Sequence, residues 1–96
     1  MLGKSRTIRI EFFGIPRARA GVPATTVEFT NDTISLAAVL ADLARRFPEF
    51  GAQCVKADRL GDGLAANVEG ERFLHSGDEL IQDGDTLLIF SADAGG

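Results

Sequence analysis

The sequence predicts an α+β fold, one main helix packed on one face of a mixed sheet. Three observations carry that expectation. Ile8, Ile10 and Phe12 alternate with Arg9 and Glu11 near the start, the period of a half-buried strand. Leu36, Val39, Leu40, Leu43 and Phe47 recur at helical spacing in the middle, and Thr86 to Phe90 close on an apolar run. With 96 residues the chain makes a single domain, 1–96, able to bury roughly 60–65% of the surface that its unfolded form exposes.

The first strand is "TIRIEFF". The stretch "GIPRARAGVPA" after it gathers glycine, proline and arginine, a loop composition, before Thr26 to Thr30 resume alternation with β-favouring residues. Strands one and two are therefore expected as a hairpin with a long loop. Thr33 or Ser35 offers a side-chain oxygen to the free amides of a helix start. The stripe from Leu36 to Phe47 then forms the helix, supported by Ala37, Ala38, Ala41 and Ala44, with Arg45 and Arg46 suiting the negative end of its dipole. Pro48 stops it.

Between Glu49 and Gly63 the pattern is weak, and a turn of helix or an irregular loop is expected. Leu64 to Val68 read as a strand with Glu69-Gly70 as its turn, and Arg72 to Leu74 as a short edge strand ahead of a Ser76-Gly77 turn. Asp83-Gly84 is a tight-turn pair feeding the last strand, Thr86 to Phe90.

Composition narrows the function. The formal charge of −4 argues against a phosphate-binding surface, which needs a clustered basic excess. The charge is uneven, with Lys4, Arg6, Arg9, Arg17 and Arg19 early and Glu71, Asp78, Glu79, Asp83, Asp85 and Asp93 late. Either a basic partner meets the C-terminal end or these acids simply occupy solvated turns. No stretch has signal-peptide or membrane-span length, so a cytoplasmic protein without membrane or nucleic-acid partners is expected. A lone Cys54 and a lone His75 make neither a disulfide nor a metal cluster, and neither sits in a context that suggests activation.

The last strand is apolar on both faces although only one helix is in hand to cover the sheet. If Leu87 and Ile89 join Ile8, Ile10 and Phe12 beneath the helix, then Leu88, Phe90 and Phe13 point to the other face. That makes a candidate docking patch, unless residues 49–63 or a second copy cover it.

With these elements in place the chain resembles a known family. The segments "TIRIEFFGIPRARAG", "SLAAVLADLARRFPEF", "LAANVEG" and "LIQDGDTLLIFSADAGG" resemble the MoaD/ThiS sulfur-carrier family, and among its members the small subunit of molybdopterin synthase. The resemblance implies a ubiquitin-like β-grasp with residues 91–96 as a flexible C-terminal tail. It also implies a protein that is not itself an enzyme. A ubiquitin-activating-type adenylyltransferase would adenylate the carboxylate of Gly96, using ATP and Mg²⁺ that this chain does not bind. Sulfur from a donor would then convert it to a thiocarboxylate, with Gly95 giving steric access. A molybdopterin synthase large subunit or another sulfur-accepting enzyme would receive it.

The chemistry of the tail agrees with this. A carboxylate is a poor electrophile until ATP activates it, so it must enter another protein's active site, and glycine lacks the Cβ that would crowd such a channel. At average glycine usage two in a row at a given place arise in roughly one chain in two hundred. Where many molybdopterin-synthase small subunits carry proline before the glycines, this chain has Ser91-Ala92-Asp93-Ala94. Delivery to cysteine, thiolated RNA or a specialised metabolite, or service as a ubiquitin-like protein modifier, are the alternatives.

Overall fold

The structure is a computed structural model that describes residues 5–92. Strand β1 (Arg6–Phe12) leads into α1 (Gly14–Ala20) and returns as β2 (Ala24–Phe29). The short β3 (Ile34–Ser35) runs directly into α2 (Leu36–Arg46), and α3 (Pro48–Cys54) follows after one residue. A small hairpin of β4 (Val55–Lys56) and β5 (Arg59–Leu60) comes before β6 (Leu64–Val68), β7 (Arg72–Leu74), β8 (Leu80–Ile81) and β9 (Thr86–Ser91). The main sheet has the order β2-β1-β9-β6-β7. The central strand β9 runs parallel to its neighbour β1, with Ile10 opposite Leu87 and Phe12 opposite Ile89, and every other pairing is antiparallel. The fold is a mixed-sheet β-grasp.

The main helix forms as its sequence requires. Ser35, not Thr33, caps it, its Oγ accepting from the Ala38 amide at 3.1 Å. Leu36, Val39, Leu40 and Leu43 are its buried residues, and they lie over the inward side chains of β1 and β9. Ile8, Ile10, Phe12, Leu87 and Ile89 are all at most 1% exposed. The core is closed by aromatic edges, Phe12 standing 5.2 Å from Phe50 and 6.0 Å from Phe47 between ring centres.

One segment differs from expectation, and another is decided between the alternatives expected for it. The stretch expected as a long loop between the first strands contains α1, so β1 and β2 pair as a hairpin but are joined through a helix. Pro16 sits in its first turn, where a missing amide donor is tolerated, and is buried. Gly21 ends it at φ 81°, its amide donating to the Arg17 carbonyl. The segment 49–63, expected as a turn of helix or an irregular loop, takes the helical alternative in its first part and a short hairpin after it. Pro48 ends α2 and at the same time opens α3, a first-turn position that suits proline. Phe50 and Cys54, four residues apart, turn into the core. The described residues thus carry three helices where one main helix was expected, and α3 packs on the α2 side of the sheet, leaving the opposite face without a helix.

Candidate functional site

The open face of the sheet follows from strand alternation. In β9, Leu87 and Ile89 are fully buried, while Leu88 and Phe90 point the other way and remain partly exposed. Phe13 extends the alternation of β1 beyond Phe12; its amide donates to the Ile89 carbonyl at 2.9 Å, and the residue is 44% exposed. All three expected patch residues therefore lie on the side away from α2. A fourth was not expected. Phe73 of β7 is opposite Asn67, which is opposite Leu88, so it shares their face; its ring centre lies 6.2 Å from that of Phe90 and 6.4 Å from that of His75. Only the register of the β6–β7 hairpin reveals Phe73, since in the sequence it is one apolar residue beside another. The signal lay in "EG": Glu69 and Gly70 both take positive φ, 60° and 73°, and fix that register.

This face meets the end of β9. The strand runs to Ser91, one residue further than expected, and the Ala92 amide donates to the Gly63 carbonyl at 2.7 Å. Helix α1 flanks that point: the place a Cβ on Gly14 would take, with φ 61°, lies 3.2 Å from Ser91 Oγ. The two ends of β1 and β9 are thus packed together where the chain leaves the sheet. Gly95 and Gly96 lie outside the described residues.

The acidic side chains of the later sequence have structural employment. Asp83 accepts from the Thr7 amide at 2.8 Å, Asp85 from Gln82 at 3.0 Å, Glu69 from Thr86 at 2.6 Å, and Glu79 from His75 and Ser76 at 2.5 and 2.9 Å. Those two amide bonds hold the Glu79 carboxyl below the usual carboxylate range. Of the acids counted at this end of the sequence, Glu79, Asp83 and Asp85 thus serve turns, as one of the two readings had it. Cys54 is buried and free, and burial pushes its thiol pKa up, with Arg19 offsetting part of the effect. A raised thiol is a poor nucleophile, as expected for an incidental cysteine. Among the described residues there is no group of three metal-binding side chains and no helix long and apolar enough to cross a membrane.

Comparison with known proteins agrees with the geometry. SAMP1 of Haloferax volcanii superposes with a TM-score of 0.76 at 21% identity over 94% of this chain and 99% of that one. The small archaeal modifier protein 1 of Methanosarcina acetivorans gives 0.72 at 20% over 98% and 100%. A Pyrococcus furiosus protein, provisionally named molybdopterin converting factor, subunit 1, gives 0.69 at 21% over 90% and 97%. No curated protein matches. These likenesses show the ubiquitin-like β-grasp fold. The ThiS family model matches residues 10–96, from the middle of β1 to the final glycine, and by that match the chain belongs to the ThiS family.

Proposed function

We propose that this chain is a sulfur carrier whose Gly96 carboxylate is adenylated and then converted to a thiocarboxylate. Molybdopterin is the intended product, delivered with a larger catalytic subunit. The observation that carries the reading is the junction of an apolar face with the root of the tail: Leu88 and Phe90 belong to the strand that ends at Ser91. A partner gripping Phe90, Leu88, Phe13 and Phe73 receives the following residues in a defined direction. The chain has no assembled catalytic group of its own in this reading; its substrate is its own terminus, and ATP and Mg²⁺ are held by a ubiquitin-activating-type partner. Gly95 keeps the approach narrow. The work is placed in the cytoplasm, where ATP and the sulfur donor are at hand.

The test alters the tail alone. One alanine added after Gly96 moves the carboxylate about 3.5 Å and sets a Cβ beside it. Docking to the activating enzyme survives, but ATP-pyrophosphate exchange falls by about a hundredfold or more, since even 1 Å of misplacement has that effect. Deleting Gly96 fails for the opposite reason. Exchange at the parent rate with both tails would refute the reading. The similarity to archaeal modifier proteins supports a second reading, attachment to protein lysines. Intact mass after incubation with activating enzyme, ATP and sulfur donor separates the two: a thiocarboxylate exchanges one oxygen for sulfur, whereas a conjugate adds a whole protein.

A further inference from the structure

Asn67 does not suit an apolar surface. It stands mid-strand in β6, opposite Leu88 on one side and Phe73 on the other, and its side chain emerges between them on the open face. The residue is 6% exposed, and its Oδ1 is buried without a hydrogen-bond donor. Strands β9 and β7 flank β6 and pair with it on either side. Buried acceptors are nearly always satisfied, and one left open is a cost to the isolated fold that an apolar residue would avoid.

We propose that Asn67 is the specificity residue of this face, and that the docked protein presents an arginine to it. One guanidinium N–H donates to Asn67 Oδ1 while the planar cation lies against the rings of Phe73 and Phe90. Three observations choose arginine. The open atom is an acceptor, so the partner group must donate. The two rings, with centres 6.2 Å apart, border the site and attract a flat cation. The chain carries a net charge of −4, and a guanidinium is more weakly hydrated than an ammonium and has donors to spare for one carbonyl. Phe73 is 51% exposed, so a docked side chain can reach its ring.

This role rests on docking to the activating enzyme as proposed above, and calorimetric titration of the full chain with that enzyme tests the two separately. Asn67→Leu removes the carboxamide and keeps the branching. It should melt at or above the parent temperature yet bind about tenfold more weakly, the scale of a lost hydrogen bond to a charged group. In a double-mutant cycle against single arginine-to-alanine variants of the enzyme's contact surface, one arginine should weaken the parent about tenfold and leave Asn67→Leu unchanged. Phe90→Ala is the control for docking itself. If Phe90→Ala loses affinity while Asn67→Leu binds as the parent does, Asn67 has no such role and docking stands. If neither variant loses affinity, docking on this face is wrong. Absence of coupling to every arginine overturns the guanidinium. Should Asn67→Leu not fold, Asn67→Ala carries the same comparison.

Discussion

The two faces of one sheet are built from alternate residues of the same strands, yet they end in opposite states. Beneath α2, residues Ile10, Phe12, Leu87 and Ile89 are sealed. On the other side Leu88 and Phe90 stay partly open, Phe73 is half-exposed, and Asn67 holds an unanswered acceptor. The difference teaches where each kind of free energy is spent: the helix-covered face stabilises the fold, and the uncovered face holds apolar area available for association. A residue's side of the strand therefore predicts whether its loss is read in melting or in binding.

The largest expected effect is on the covered face. Phe12→Ala removes a ring that meets Phe47 and Phe50 edge-on and is 1% exposed, and the cavity should cost about 3–5 kcal/mol in chemical denaturation. A cost below 1 kcal/mol would mean that this side is not the core. Phe90→Ala is the mirror test. It should weaken binding to the activating enzyme by about 2 kcal/mol, as an aromatic anchor does, with only a small change in melting. Lowered melting with unchanged affinity would move Phe90 to the other class.

How legible this division was depends on the length of each element. The α2 stripe and the alternation of β1 and β9 repeat often enough to sort residues into two sides; parity grouped Leu87 with Ile89 and Leu88 with Phe90, and the register with β1 decides which pair lies beneath the helix. Helix α1 was not legible, because its inward residues are only Pro16 and Ala20, and Gly14 with Gly21 punctuates it as a loop would be punctuated. The seven residues of α3 show a single apolar pair four apart, Phe50 and Cys54, too few to establish a period. Phe73 was missed for a different reason: its side depends on which residue of β6 it faces, a relation between strands. Asn67 was likewise read only as part of "LAANV", because nothing in a strand's own sequence tells that its acceptor will be left without a donor.

The assignment of sides also depends on the turn before β9. Gly84 takes φ 89°, and its amide donates to the Thr7 carbonyl at 2.8 Å, while the Arg9 amide donates to Asp85. These bonds set β9 against β1, and a one-residue slip would bring Leu88 and Phe90 under the helix. Gly84→Val places a β-branched residue in a left-handed conformation and should destabilise by about 1–3 kcal/mol, measured by denaturant titration. A neutral result would show that the turn can relax without glycine and that the register is held elsewhere.

The smallest effect concerns the turn that follows Phe73. Glu79 accepts from the amides of His75 and Ser76 and lies 3.9 Å from Arg72, so it braces the end of β7, where the His75 ring stacks on Phe73. Its folded pKa is lowered, first by the amide of His75 and then by that of Ser76. A carboxylate depressed in the folded state stabilises above its unfolded pKa, and that contribution disappears as pH falls through the lowered folded value. Glu79→Gln keeps an acceptor but loses the charge. It should therefore melt slightly below the parent near neutral pH, and the two melting curves should converge as the solution is taken below the ordinary glutamate range. A gap that stays constant across that acid range would mean the charge on Glu79 is not what holds the turn, and that the open face keeps its shape at Phe73 without it.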